Sequence, residues 1–158
     1  MPEAQYIIPL ADTLRQESVR GLIAGAGIDV KIVSGRIYDV LAACDLAIVT
    51  SGTATLEAGL IGVPMVIGYK MSVLSALIGK LIINPEFIGL VNIIAGKSVA
   101  PELIQLNATG RRIASEALGI LLDSDRKLKM IHELKNIREK LGEPGAARKA
   151  AQIACNMI

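Results

Sequence analysis

The stretch TSGTATLEAGLIGVPMVIGYK, residues 50–70, decides the predicted fold. It begins at the end of an apolar run and passes through small hydroxyl-bearing residues into a helix-like run. It then turns at Gly-Val-Pro into a second apolar run. Short strands that are apolar on both faces, separated by a helix, are typical of a parallel sheet covered by helices. One acid, Glu57, stands alone in this apolar setting and indicates a role beyond packing.

The same alternation extends in both directions. The sequence predicts strands over 5–11, 29–35, 45–52, 63–69 and 87–92, and helices over 13–26, 37–44, 53–61 and 72–82. The pattern changes after Pro101, where only helices are predicted, over 109–122, 124–141 and 145–157. We therefore predict one α/β domain over 1–158, with a doubly wound parallel sheet in 1–100 and C-terminal helices in 101–158.

Each predicted helix has an apolar face. In the helix over 13–26 this face consists of Val19, Leu22, Ile23 and Ala26. In the two helices that start near residue 109 and residue 124, the positions predicted to point inward are Ile113, Ala117, Leu118, Leu121 and Leu122, followed by Met130, Ile131, Leu134, Ile137 and Leu141. The mixed charges between 126 and 140 indicate a solvated face, and His132 among them is predicted to be a surface residue.

Composition excludes several classes of function. Hydrophobic residues make up 52% of the chain and aromatic residues only 3%, so the core must be aliphatic. A net charge of +2 and few aromatic side chains argue against nucleic-acid binding. Cys44 and Cys155 lack metal or redox spacing and suggest reduced thiols in a cytoplasmic protein. The start of the sequence has no signal-peptide pattern, and no uncharged apolar run reaches the ~18 residues of a membrane span.

The turn at residues 51–53 is a candidate phosphate site. Ligands of open parallel sheets bind at the carboxyl ends of strands, and here a strand ends where a helix begins. Unpaired N–H groups and the positive end of a helix dipole favour a phosphate there. An ordinary N-cap made by the hydroxyls is the alternative. Glu57, one turn into the helix, can accept hydrogen bonds from two vicinal hydroxyls, and the alternative places it at an exposed helix edge.

These motifs resemble the C-terminal donor domain of GT-B glycosyltransferases, and more narrowly the lipid-A-disaccharide synthase family. That family shows SGTATLE, G-x-PMV-x-x-Y, PNLLAG and P-E-x-x-Q in this order, and this chain has SGTATLE, GVPMVIGY, NIIAG and PELIQ. Val91 replaces the usual proline before Asn92. The resemblance covers nearly the whole chain, and four short signatures in order make it specific.

The resemblance implies a role for individual residues of a UDP-sugar site. Residues 51–53 would contact the donor phosphates and Glu57 the ribose. Neither a cofactor nor a metal is implied, and no catalytic residue is assigned. The resemblance places Asn92 and Gly96 beside the donor and gives Glu102 and Gln105 a supporting place there. Arg36 and Ile37 are candidates for contacts to the uracil edge. The full set of implied donor-binding residues is Ser51, Gly52, Thr53, Glu57, Asn92, Gly96, Glu102 and Gln105.

The resemblance also implies partners. We expect part of a longer inverting glycosyltransferase that joins UDP-diacylglucosamine to diacylglucosamine 1-phosphate, inactive without the N-terminal acceptor domain that carries the catalytic base. The first strand of the donor domain is expected to be absent, which would leave a sheet edge unpaired. We expect such an edge to pair with a second copy of this chain or with another chain. The apolar segment 71–92 is interpreted in two ways. It forms either a helix that packs in the core or a surface that contacts the inner membrane.

Two alternatives remain at this stage. The chain could belong to another GT-B enzyme, such as a UDP-N-acetylglucosaminyltransferase or a UDP-sugar 2-epimerase, although these lack the NIIAG and PELIQ tract. It could also be a non-catalytic interaction module.

Overall fold

The computed structural model describes residues 3–71, 86–142 and 145–157. In these ranges the strands are β1 (Tyr6–Leu10), β2 (Val30–Ser34), β3 (Ala47–Thr50), β4 (Met65–Tyr69) and β5 (Glu102–Ile104). The helices are α1 (Gln16–Ile23), α2 (Ile37–Ala43), α3 (Thr53–Ile61), α4 (Leu90–Ala95), α5 (Gly110–Leu122), α6 (Ser124–Leu141) and α7 (Ala146–Asn156), with a 3₁₀ turn at Gln105–Asn107. The helix predicted over 72–82, and with it most of the proposed membrane contact, lies outside the described residues.

The strands form two parallel sheets rather than one. β1 pairs with β2, and Tyr6 lies opposite Val30. In the second sheet the order is β3-β4-β5, where Ala47 lies opposite Met65 and Ile67 opposite Glu102. The predicted α/β class with parallel strands and C-terminal helices is therefore confirmed.

Two predicted elements near residue 100 are wrong. Residues 87–92 were expected to form a strand, but α4 begins at Leu90 and ends at a left-handed cap on Gly96. Short apolar runs do not distinguish a buried strand from a buried helix by periodicity, which explains the error. After Pro101, where only helices were expected, β5 adds a third strand beside β4.

The core lies between the three-stranded sheet and helices α3 to α6. Met65, Val66 and Ile67 of β4 are fully buried, as expected for a strand covered on both faces. The inward positions predicted in α6 are confirmed for Met130, Leu134 and Ile137, and other fully buried residues are Ala58, Val91, Ala100 and Ile120.

Some predicted core positions are exposed. In α5 the face toward β4 and α6 runs through Ile113, Ala117 and Ile120, so Leu118 and Leu122 fall outside it, with 39% and 72% of their surface exposed. Leu141, at the end of α6, is 45% exposed, because it lies beyond the packed part of the helix. Leu22 of α1 is 86% exposed, so the apolar face predicted for that helix is largely open.

A glycine allows α3 and α4 to pack closely. A Cβ at Gly59 would lie 2.6 Å from Cγ1 of Val91. A side chain at this position would therefore push the two helices apart. This close contact packs the start of α4 against the C-terminal half of α3. None of the helices in the described parts of the chain combines the length and apolarity of a membrane crossing.

Candidate functional site at the carboxyl edge of the three-stranded sheet

The carboxyl ends of β3, β4 and β5 meet at one edge of the sheet. Thr50 lies opposite Gly68, and Tyr69 lies opposite Ile104. The segments that follow these strands therefore leave the sheet side by side. They include residues 51–53 and Gln105, which the sequence predicted as donor contacts.

The turn after β3 has a conformation that requires glycine. Gly52 has φ 141° and ψ −161°, a region that residues with a Cβ essentially do not occupy. Helix α3 begins at the next residue without a side-chain cap, because its N-cap residue is Gly52, and the hydroxyl of the preceding Ser51 donates to the Ile88 carbonyl at 2.9 Å. The alternative of an ordinary hydroxyl N-cap is therefore wrong. The N–H of Thr55 donates to the Gly52 carbonyl at 3.2 Å, whereas in the described part of the chain the N–H groups of Thr53 and Ala54 have no acceptor and remain available to an anion.

Thr55 holds this turn against the start of α4. Its side chain is fully buried, and Oγ1 donates to the Gly52 carbonyl at 2.8 Å. The same oxygen accepts the N–H of Leu90 at 3.1 Å. Together with the bond from Ser51 to Ile88, this contact fixes the turn from two sides, so the turn is preorganised before any ligand arrives.

Asn92 and Glu102 support the opposing loop. Asn92 is fully buried, and its Nδ2 donates to the Ala100 carbonyl and to Glu102 Oε1, each at 2.7 Å. Its Oδ1 accepts the N–H groups of Val99 and Ala100 at 2.8 and 2.9 Å. This side chain thus makes four hydrogen bonds, its full capacity.

The carboxylate of Glu102 binds the chain just before α4. Oε2 accepts the N–H of Ile88 and Oε1 that of Gly89, both at 2.9 Å. Since Ile88 also accepts from Ser51, the support extends from β5 to the predicted phosphate turn.

Gln105 connects the ends of β4 and β5. It has a left-handed backbone conformation, φ 53°, which is costly for a residue with a Cβ. Its Oε1 accepts the N–H of Met71 at 3.1 Å. Strained residues of this kind cluster at functional sites, which agrees with its place at the sheet edge.

Thr53 and Glu57 share one face of α3. They are four residues apart, the spacing of neighbours on a helix surface. Thr53 is exposed and Glu57 is half-buried, and in the described part of the chain no hydrogen bond or ion pair engages the Glu57 carboxylate. An anion at the helix start would therefore lie about 6 Å along the axis from a carboxylate able to accept from hydroxyl groups.

The structure does not bring all predicted site residues to this turn. Gly96 caps the opposite end of α4, about 9 Å along that helix from its start. Arg36 and Ile37 follow β2 in the other sheet, where Arg36 Nε donates to Asp39 Oδ2 at 2.8 Å. Their predicted contacts to the donor stay predictions.

Sequence reasoning missed Thr55. The signal was present, because a hydroxyl in the apolar run TLEAGLI must find a hydrogen-bond partner when it is buried. Its partners come from the turn and from the first residue of α4, 35 residues away, and the second of these could not be read from local sequence.

A cleft elsewhere on the surface is occupied by the protein's own ion pairs. It measures about 350 Å³ and is lined by residues of the loop from 97 to 101 and of α6. Lys97 Nζ lies 2.7 Å from Glu133 Oε1, and the hydrogen bond from Lys97 lowers the pKa of Glu133. Arg126 is likewise paired, with Glu116 at 2.6 Å. The cleft shares no residue with the turn at 51–53. Since Lys97 and Arg126 are paired with carboxylates of the protein, we do not assign the cleft as the ligand site.

The fold and the turn together define a class. A parallel α/β sheet with a glycine turn and an uncapped helix start at its carboxyl edge is the arrangement of nucleotide-binding domains.

The comparisons identify the family within this class. The family described as lipid-A-disaccharide synthetase matches residues 1–157, and the chain belongs to that family. A lipid-A-disaccharide synthase of Syntrophus aciditrophicus is 49% identical over 98% of this chain and 40% of its own length. Proteins of the same name from Nitrosococcus oceani and Geobacter sulfurreducens are 46% and 43% identical over 99% of this chain, with 40% and 41% of their own length covered. The chain thus spans about 40% of the length of these curated relatives.

Proposed function

We propose that these 158 residues are the donor-binding part of a glycosyltransferase that joins UDP-diacylglucosamine to diacylglucosamine 1-phosphate. The observation that carries the proposal is the glycine turn at residue 52, held on both sides and followed by an uncapped helix start. Such a start can bind the diphosphate of a UDP-sugar through its N–H groups. The names of the relatives favour this reaction over those of other GT-B enzymes and over a non-catalytic module.

In the reaction, the turn would stabilise the leaving UDP. Negative charge develops on the diphosphate as its bond to the donor sugar breaks. Preorganised hydrogen-bond donors stabilise that charge without reorganisation. Residues of this chain then act by binding and orienting the donor. In this proposal the donor phosphates contact Ser51, Gly52 and Thr53, and the ribose contacts Glu57. Arg36 and Ile37 contact the uracil edge. The residues that lie beside the donor or support its site are Asn92, Gly96, Glu102 and Gln105.

The proposal includes the setting of the reaction. Both proposed substrates carry acyl chains, so the protein would work in the cytoplasm at the inner-membrane surface, together with an acceptor-binding domain that supplies the catalytic base.

Titration of UDP into the purified chain by calorimetry tests the proposal. Glu57→Ala should weaken UDP binding about 10- to 150-fold, because a hydrogen bond to a charged group contributes ~1.5–3 kcal/mol. Glu139→Ala is the matched control, since it removes an equal charge from an exposed position of α6. Equal UDP affinity of wild type and Glu57→Ala would refute the ribose contact, and no UDP binding by either would refute the proposed donor site.

A further inference from the structure

Thr55 carries a buried hydroxyl directly behind the predicted phosphate turn. The residue is fully buried, so its hydroxyl cannot contact a ligand itself. The proton goes to the Gly52 carbonyl at 2.8 Å, and the same oxygen accepts the N–H of Leu90 at 3.1 Å. Because the protein engages this hydroxyl on both sides, any effect of Thr55 on a ligand must act through the turn.

Only one of these two bonds has a local explanation. Threonine hydroxyls inside helices commonly donate to a carbonyl three or four residues earlier, as Thr55 does to Gly52. The bond with Leu90 instead joins α3 to α4 across 35 residues of sequence. Gly59, one turn further along the same face of α3, makes the close contact with Val91 of α4. The face of α3 that packs on α4 thus has a hydrogen-bonded contact at its start and a close-packed one after it.

Hydrogen bonds are what hold Gly52 in its unusual conformation. A Cβ built on Gly52 would meet no atom within 4 Å in the described part of the chain, so the space beside this residue is open. Its carbonyl accepts both the N–H of Thr55 at 3.2 Å and the hydroxyl of Thr55. Gly52 immediately precedes Thr53 and Ala54, whose N–H groups are the donors available to an anion. The orientation of these donors therefore depends on the bonds that Thr55 makes.

We propose that Thr55 is a positioning residue of the donor site. Its hydroxyl fixes Gly52 to the start of α4 and so holds the N–H groups of the next two residues ready for a diphosphate. This inference rests on the proposed function, because it takes the turn as the place where the diphosphate of a UDP-sugar binds. Without the hydroxyl, the backbone of Gly52 must be ordered when the ligand binds. Ordering the backbone of one residue lowers affinity by about 5- to 30-fold.

Two substitutions separate the hydroxyl of Thr55 from its packing. Thr55→Val keeps the branched shape and removes the hydroxyl, whereas Thr55→Ser keeps the hydroxyl and removes a buried methyl group. Calorimetric titration of UDP, well below the melting temperature of each chain, measures the affinity. We expect binding about 5- to 30-fold weaker than wild type for Thr55→Val, but within about threefold of wild type for Thr55→Ser, although the serine variant melts at a lower temperature. A role in packing alone predicts equal affinity for every folded variant.

Leu90 offers a second test that leaves α3 unchanged. Leu90→Pro removes the N–H that Thr55 accepts, and proline is favoured as the first residue of a helix. Gly89 already has φ −74° and ψ 129°, a conformation that a following proline allows. Leu90→Ala keeps the N–H and is the matched control. We expect UDP binding about threefold or more weaker for the proline variant than for the alanine variant, and this pair decides the question if Thr55→Val does not fold.

Inorganic diphosphate, titrated in the same way, separates the role of Thr55 from the proposed nucleotide site. Because Thr55 acts on the phosphate turn, Thr55→Val should weaken the binding of diphosphate and of UDP by the same factor. Glu57→Ala should weaken the binding of UDP alone. If diphosphate binding depends on Thr55 in this way but UDP binds no more tightly than diphosphate, the role of Thr55 is correct and the nucleotide site is wrong.

Three results would overturn the role of Thr55. They are a folded Thr55→Val chain that binds UDP as tightly as wild type, a loss of affinity in Thr55→Ser as large as that in Thr55→Val, and equal UDP affinity of the two variants at residue 90. If wild type binds neither UDP nor diphosphate, the turn is not a donor site, and this inference is wrong together with the proposed function.

Discussion

Replacing Asn92 by Asp would exchange the amide nitrogen of a fully buried side chain for an oxygen and remove two of its hydrogen bonds. Nδ2 now donates to the Ala100 carbonyl and to Glu102 Oε1, each at 2.7 Å. In the variant an oxygen would face both acceptors, and a second carboxylate would lie beside Glu102. An unpaired buried charge costs about 3–5 kcal/mol, a large fraction of the roughly 5–15 kcal/mol that stabilises a typical domain.

The assay is urea unfolding followed by circular dichroism. At pH 7 we expect a loss of about 3–5 kcal/mol in unfolding free energy at an unchanged m-value, or about 6–20 °C in melting temperature. Protonation of the introduced carboxyl group restores a donor toward its neighbouring acceptors, so the loss should shrink as the pH is lowered.

Asn107→Asp is the matched control for Asn92→Asp. Asn107 is exposed and its Oδ1 accepts from Arg112, so the added charge faces a cation. We expect a change within about 0.5 kcal/mol. A loss below about 1 kcal/mol for Asn92→Asp, or a loss equal to that of Asn107→Asp, would refute the assigned network.

Two further predictions concern the turn and the thiols. Gly52→Ala should cost about 1–3 kcal/mol and weaken UDP binding, because a residue with a Cβ is strained at φ 141° even though nothing lies within 4 Å of the added atom. Iodoacetamide should label exposed Cys155 before half-buried Cys44, because burial, and secondarily Asp45, raises the pKa of the Cys44 thiol and lowers its thiolate fraction at neutral pH.

Each of these predictions has its own check. Gly21→Ala, in the interior of α1 with open space around it, should instead stabilise the chain by about 0.5–1 kcal/mol. If the two glycine variants behave alike, the special conformation of Gly52 has no energetic effect. For the thiols, mass spectrometry over time gives the order of labelling, and equal rates at neutral pH would contradict the burial of Cys44.

Local patterns predicted most elements because their causes are local. The helix over 53–61 was predicted to the residue, since a glycine turn precedes it and Gly62 ends it. The strands before and after it were predicted within two residues for the same reason. Residues 87–92 were mistaken for a strand because the contacts that fix α4 come from Glu102 and Thr55, which are distant in sequence.

The candidate site was predictable in part. The chemistry at residues 51–53 follows from strand, glycine and helix order, and the structure places these residues at the sheet edge as expected. The supporting bonds of Asn92 and Glu102 join elements by tertiary contacts that no spacing specifies. The two-sheet arrangement is also a property of pairing between distant strands, and the sequence analysis had predicted a single doubly wound sheet.

The contact of Glu102 with the N–H groups of Ile88 and Gly89 has a consequence for amide exchange. These two amides are bonded by folding itself, so their protons should exchange with solvent slowly whether or not a ligand is present. The amides of Thr53 and Ala54 at the start of α3 have no such acceptor in the described part of the chain. The starts of α3 and α4 therefore meet at this edge of the sheet, and the amides just before α4 are already bonded to the protein's own carboxylate. Only the amides at the start of α3 should exchange more slowly when an anion binds.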